Sequence, residues 1–282
     1  MDAKHDRMGL NLRRADGAPP KLVGHRGALE VAPENTMASF QRALEDGADV
    51  IELDIYLSAD GNVVVMHDAT VDRTTNGTGL VSVLTLAELK RLDAGAWFDP
   101  QFAGERVPTL AEVLAWARGR VGLMLELKYY PYGSFETNLV PATLDLVRQY
   151  DVADQVVFIS FQPKGLAQVK VLMPEFTIGP MMPAGRALTR TVWLVRRLPW
   201  LKHLAFVRRT LLRPLTLTQA VGCDMVTPNI VIVTPELVQA THTAGLIISA
   251  GGFNWNYPDA IAMGLDTIST NNPGRVRQMY LS

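Results

Sequence analysis

Cysteine is nearly missing from this 282-residue chain: Cys223 stands alone, which excludes an intrachain disulfide or a thiolate zinc cluster. A reducing compartment follows, taken here as the cytoplasm. Histidine is also scarce, with five residues scattered along the chain, fewer than a barrel metallohydrolase acting on amides generally uses. No run of about 18 uncharged apolar residues occurs, so a spanning helix is not expected. The opening MDAKHDRMGLNLRRADGAPP has charges but no apolar signal-peptide region, and residues 1–20 are expected to form a mobile tail. Acidic residues are absent from Phe176 to Cys223, where Arg186, Arg190, Arg196, Arg197, Lys202, Arg208, Arg209 and Arg213 occur. Without these, the remainder has 19 basic against 28 acidic residues, although the whole chain is near neutral at -1. Such a balance excludes a generally basic nucleic-acid binder and describes a basic element set into an acidic body.

Apolar residues make up 48% and charged residues 20%, enough to build a sizeable core, and one α/β domain over 21–282 is expected. Short apolar runs read as strands at 22–25, 50–55, 121–127, 156–160, 176–182, 224–227, 246–250 and 266–270. Helix signals lie between them: Pro33 to Glu45, Thr109 to Arg118, Phe135 to Tyr150, Pro163 to Leu172 and Pro235 to Thr243. Alternation of this kind predicts a closed (β/α)₈ barrel, with an open doubly wound sheet as the weaker option. Asp60-Gly61 is a hairpin signal, so Asn62 to His67 is predicted to fold back beside the second strand as an extra one. Residues 69–107 then form a small insertion over the barrel mouth.

Glu52 and Asp54 lie two apart on a predicted strand and share a face. On spacing alone they could be the wet face of an amphipathic strand. A parallel barrel strand, however, is covered by helices outside and filled by side chains inside, so inward carboxylates near its carboxyl end need a cation or hydrogen-bonding partners. Glu126 and Lys128 repeat the pattern, with an internal salt bridge as the plainer alternative. Three carboxylates suit a hard divalent ion, Mg²⁺ or Ca²⁺. His25 and His67 fall at carboxyl ends of predicted strands, where one could accept a proton while the other donates. Arg26 offers a planar fork for a phosphate oxygen or a brace for the barrel rim, and Lys128 a point charge. Cys223 reads as a small core residue.

Taken together, His25-Arg26-Gly27, Pro33-Glu34-Asn35-Thr36, Ile51-Glu52-Leu53-Asp54, Asp60-Gly61, His67-Asp68, Arg73-Thr74-Thr75, Pro108-Thr109-Leu110, Glu126-Leu127-Lys128 and Ser160-Phe161 resemble the glycerophosphodiester phosphodiesterase family in order and spacing. The resemblance is strong over about 22–182 and looser over 224–275. It implies a TIM barrel with an insertion after the second strand, one divalent metal, and hydrolysis of small glycerophosphodiesters to glycerol 3-phosphate and an alcohol through a cyclic glycerol phosphate. Carried over by position, Glu52, Asp54 and Glu126 become metal ligands, His25 and His67 the acid and base pair, and Arg26 and Lys128 the phosphate contacts. Two departures concern the substrate pocket. Ala250-Gly251-Gly252-Phe253-Asn254 lacks the family's tryptophan, for which Phe253 or Trp255 could substitute, and Thr270-Asn271-Asn272-Pro273 replaces a Thr-Asp-x-Pro pattern and loses a carboxylate. Same-fold alternatives are a phospholipase C or sphingomyelinase D type phosphodiesterase, and a third reading is a non-catalytic lipid-binding barrel.

Residues 184–215 follow the fifth predicted strand and should rise on the same face as the metal site. Pro199 divides them into two helix-like pieces. Over Trp200 to Arg213, Lys202, Arg209 and Arg213 cluster opposite Trp200, Leu201, Leu204, Val207, Leu211 and Leu212, with Arg208 intruding. With Trp193, Trp200, Arg208 and Arg209, this piece reads either as a peripheral membrane contact admitting lysophospholipids or as a lid with solvated arginines.

Overall fold

The computed structural model describes residues 10–129, 138–252 and 256–281. Eight parallel strands close into a barrel: β1 (Lys21–Gly24), β2 (Val50–Leu57), β4 (Gly122–Leu127), β5 (Val156–Ser160), β6 (Ile178–Met182), β7 (Met225–Pro228), β8 (Ile247–Ala250) and β9 (Thr267–Thr270). Closure comes from β1, which pairs with both β2 and β9. The remaining strand, β3 (Val63–Val65), lies antiparallel against the end of β2, with Ile55 opposite Val65. Every barrel strand read from the sequence lies within two residues of its position in the fold. The doubly wound alternative is thereby overturned, because an open sheet would leave β1 with one neighbour.

Strand β2 shows why the barrel forms. Ile51, Leu53 and Ile55 pack into the layer between strands and helices with Phe40, Leu110, Leu114, Leu123 and Leu125. Glu52 and Asp54 alternate with them and face the barrel axis, as period two requires. The inner layer at the amino ends of the strands is apolar: Val23, Val50, Met124, Val157, Met225 and Ile247.

The outer layer includes α1 (Met37–Glu45), the short α2 (Leu86–Leu89), α3 (Leu110–Ala117), α4 (Leu139–Gln149), α5 (Pro163–Leu172), α6 (Arg186–Arg197), α7 (Ala205–Leu211), α8 (Arg213–Ala220), α9 (Pro235–Thr243), α10 (Tyr257–Met263) and α11 (Pro273–Tyr280). Helix α1 starts where the Thr36 hydroxyl accepts from Ser39 N–H, so Pro33 to Asn35 form a turn before the helix. Thr109 and Glu112 build a capping box at α3.

Two expectations need correction. The first 20 residues are not all tail: Leu12 is fully buried and joins the apolar layer at the amino end of the barrel. Beside it, Gly122 leaves room for Leu10, whose side chain a Cβ there would meet at 2.4 Å. Arg13 and Arg14 fasten the segment to the carbonyl of Gly245 and the Asp266 carboxylate. The stretch 200–213 is not one helix either. A 3₁₀ turn (Pro199–His203) and α7 are separated at Leu204, and α8 begins again at Arg213. Leu215 of α8 packs with Val226 and Ile248, so α8 belongs to the barrel layer and the basic insertion ends near Leu212.

Candidate active site

Parallel pairing places Glu52 opposite Met124 and Asp54 opposite Glu126 on neighbouring strands β2 and β4. All three carboxylates are buried, and a ligand oxygen from each lies within 4.8 Å of the other two. Lys128 sits between two of them, its Nζ 3.0 Å from Asp54 Oδ1 and 2.6 Å from Glu126 Oε1. The internal salt bridge weighed against a ligand role for Glu126 is therefore present, within the same cluster.

His25 and Arg26 follow β1 directly. His25 Nδ1 is 2.8 Å from Asn271 Oδ1, and its Nε2 is 4.0 Å from Glu52 Oε2. Arg26 takes a left-handed backbone conformation (φ 49°), as does Asn35 (φ 57°). Non-glycine residues pay for such geometry in stability, of order 1–3 kcal/mol each, and keep it where surrounding structure enforces it. Here Arg26 N–H donates to Glu52 Oε2 at 2.8 Å, while Asn35 Nδ2 donates to Asp54 Oδ2 at 2.7 Å. Gly27 makes the turn feasible, since a Cβ there would lie 2.7 Å from the Ser39 backbone.

The Arg26 side chain is committed to acidic neighbours. Its Nη1 donates to Glu34 Oε1 at 2.8 Å, and Nε lies 3.5 Å from Asp54 Oδ2. In this state it braces the rim, the alternative reading of that residue. His67 follows β3, with Nδ1 2.6 Å from Asp68 Oδ1. Arg73 then ties two parts of the site together: it grips both Glu34 oxygens at 2.7 and 2.8 Å and reaches Asp68 Oδ2 at 2.7 Å. Asn271, Asp68, Glu34, Asn35 and Arg73 were not singled out as site residues from the sequence. Four of them lie in or beside the quoted motifs, and the lost carboxylate of the Thr-Asp-x-Pro pattern is the signal for Asn271.

Electrostatics show a cluster with excess negative charge. Burial, with Asp54 and Glu126 adding to it, pushes the Glu52 carboxyl well above its ordinary range. Burial and the Asp54 charge likewise push Glu126 up to about 7. Burial would raise Asp54 too, but Lys128 and Arg26 overcome it and hold Asp54 below the usual carboxylate range. The raised Glu52 and Glu126 carboxyls show that Lys128 and Arg26 do not fully offset the negative charge gathered here. Buried, oxygen-only donors of this charge fit a hard divalent cation, which would supply the missing positive charge. Burial, helped by Arg26, lowers His25 to about 4, and burial also lowers His67 against the opposing pull of the Asp54 charge.

A cavity of about 310 Å³ opens above the cluster, lined by His25, Arg26, Glu52, His67, Glu126 and Lys128 on one side. Met124, Ile159, Phe161, Met181 and Pro228 supply an apolar side. Asp54 lies beneath the floor, fully buried. Phe253 and Trp255, the expected pocket substitutes, lie outside the described residues. The basic insertion stands on the same rim: Val192, Val195, Val207 and Leu211 pack on Ile232, which follows β7. Trp193 and Trp200 are 53% and 61% exposed, and Arg208 and Arg209 also face solvent. Arg197 covers the Trp193 ring at 4.1 Å from its centroid. Among the described residues no helix is long and apolar enough to cross a membrane.

Residues 25–275 match the model of the Glycerophosphoryl diester phosphodiesterase family. A glycerophosphodiester phosphodiesterase of Caldanaerobacter subterraneus subsp. tengcongensis is 42% identical over 167 residues, 58% of this chain and about two thirds (67%) of that relative. A Mycobacterium tuberculosis protein named probable glycerophosphodiester phosphodiesterase 1 is 31% identical over 280 residues, 92% of this chain and 91% of its own length. Among solved structures, an Oleispira antarctica phosphodiesterase in complex with the product sn-glycerol-3-phosphate superposes with a TM-score of 0.76 at 28% identity, covering 94% of this chain and 98% of that one.

Proposed function

The chain belongs to the glycerophosphoryl diester phosphodiesterase family, and from that membership we propose that it hydrolyses glycerophosphodiesters to glycerol 3-phosphate and an alcohol. One observation carries the reading: Glu52, Asp54 and Glu126 meet within 4.8 Å beneath a cavity that both His25 and His67 line. Glu52, Asp54 and Glu126 would hold one divalent cation, Mg²⁺ or Ca²⁺. Such an ion supplies positive charge to a phosphate oxygen and lowers the pKa of a nearby hydroxyl.

The remaining chemistry falls to the side chains. In each imidazole Nδ1 is engaged by the protein, through Asn271 at His25 and Asp68 at His67, which supports Nε2 as the atom that exchanges the proton. One histidine, unprotonated at Nε2, takes the proton of a glycerol hydroxyl as its oxygen attacks phosphorus, and the other, entering the step protonated at Nε2, gives that proton to the departing alcohol oxygen. Water then opens the cyclic phosphate with the roles reversed. Each transfer contributes roughly 10²–10⁴ in rate. Arg26 and Lys128 line the cavity and place positive charge beside the phosphate. Glycerol 3-phosphate release from glycerophosphocholine and glycerophosphoinositol tests the reading, after EDTA and with Mg²⁺ or Ca²⁺ restored. Wild type should be active, and Glu52→Gln and His67→Ala should each lose at least a hundredfold; full activity in either variant overturns the role of that residue.

A second, finer reading concerns where the enzyme works. Trp193, Leu194, Leu198, Trp200, Leu204 and Phe206 are all exposed within one acid-free basic segment on the catalytic rim. That combination supports contact with an anionic membrane surface and turnover of lysophospholipids there, in a cytoplasmic setting that the single, buried Cys223 suits. Co-sedimentation with acidic vesicles at low and physiological salt is the check. Equal non-binding of wild type and a Trp193→Ser/Trp200→Ser variant removes this reading.

A further inference from the structure

A second cavity, of about 520 Å³, adjoins the catalytic one. The two share Phe161, Met181, Met182 and Pro183 as lining residues, so they meet along the carboxyl end of β6 and the loop after β5. The far wall comes from the start of α6 at Leu188 and from Leu217, Ala220 and Val221 of α8 and its end. Its lining is apolar apart from Arg186 and Arg213, and among the described residues no acidic side chain lines it. Phe161, Leu217 and Val221 are exposed, so the trough is open to solvent along its length. Chain folding alone does not account for an open apolar trough of this size beside a polar reaction centre.

We propose that this second cavity binds the acyl chain of a lysophospholipid whose phosphodiester lies in the catalytic cavity, an inference that rests on the catalytic reading above. Three features select this occupant. The trough is continuous with the cavity that His25 and His67 line, so one amphiphile can place its polar end there and its chain here. Its lining is apolar but for Arg186 and Arg213, both exposed, whose aliphatic stems can lie along a chain while the guanidinium heads stay in solvent. A single-chain lipid also keeps one glycerol hydroxyl unesterified, which the attack on phosphorus requires, whereas a diacyl lipid does not. Met181 and Met182 at the junction are unbranched and adaptable, a lining that tolerates chains of differing shape.

Calorimetric titration with octyl-, decyl- and dodecylphosphocholine, each below its micelle-forming concentration, tests the site without needing turnover. These probes carry the phosphodiester and one chain but no glycerol hydroxyl. Full burial of methylenes in the trough would tighten Kd by about fifteenfold for each two-carbon step, and the half-open trough should give at least about fivefold. Leu217→Lys and Ala220→Lys, both at exposed positions of α8, should flatten the series, with thermal unfolding recorded alongside to confirm the fold. Equal affinity for the three probes, or an unchanged series in both variants, overturns the proposal. Glycerophosphocholine hydrolysis measured on the same preparations separates the two claims. Hydrolysis with a flat series removes the chain site alone; a steep series without hydrolysis supports the chain site and removes the catalytic reading.

Discussion

Glu126→Gln removes one carboxylate from the buried cluster while keeping its shape, and it should make the metal-free protein more stable at alkaline pH. Burial and the Asp54 charge raise the Glu126 carboxyl from 4.5 to about 7, a balance that already includes the opposing pull of Lys128. For an acid whose folded pKa is raised, the folded state holds its proton more tightly than the unfolded state. Its contribution to stability is therefore present below about pH 4.5 and lost as pH rises through about 7. At about 1.4 kcal/mol per pH unit, ionising Glu126 costs the fold about 3 kcal/mol at pH 8. Glutamine pays none of this, and Lys128 keeps Asp54 at 3.0 Å as its partner. In EDTA, urea unfolding should show the variant about 1–3 kcal/mol more stable than wild type at pH 8, with the gap closing to under about 1 kcal/mol at pH 4.5. A divalent cation at a thousand times its Kd should then reverse the order, adding about 4.1 kcal/mol to wild type alone. A variant no more stable than wild type at pH 8 without metal would refute the claim that the cluster carries excess negative charge.

Arg73→Met should lower kcat by about tenfold to a hundredfold, because Asp68 and Glu34 lose the cation that orients His67 and Arg26, yet change stability by about 1 kcal/mol or less, since the Arg73 side chain is 44% exposed and the buried Glu34 keeps Arg26 as its partner. Steady-state kinetics beside urea unfolding checks both halves, and a large stability loss with normal kcat would reverse the assignment. Cys223 is buried, with its thiol pushed up to about 11 by burial, so iodoacetamide at pH 8 should label it only after denaturation. Mass spectrometry of native protein showing rapid labelling would contradict that placement.

Much of the site was legible because β2 alternates so cleanly. Isoleucine and leucine at 51, 53 and 55 force Glu52 and Asp54 onto the other face, and parallel pairing with a strand carrying Glu126 brings the three together. What remained hidden depends on long-range partners. Asn271 reaches His25 across 246 positions, a contact that no local period reports. Arg26 looks ready for a phosphate because its forked cation is visible, whereas the Glu34 and Asp54 carboxylates that pair with it depend on the left-handed turn after β1. The burial of Leu12 was equally hidden, since one leucine in a charged, glycine-containing segment carries no periodic signal. Breaks at Leu204 and Leu212 escaped for the opposite reason. Residues 200–213 contain good helix formers, and packing on the barrel rather than propensity divides them.

The shared ion site is tested most directly by titrating EDTA-treated protein with Mn²⁺ and following the free ion by electron paramagnetic resonance. Wild type should take up one ion per chain at a tight site, and Asp54→Asn should abolish that uptake while keeping the circular dichroism of the folded barrel. No tight uptake by wild type, or uptake that Asp54→Asn leaves intact, would contradict a cation held jointly by Glu52, Asp54 and Glu126.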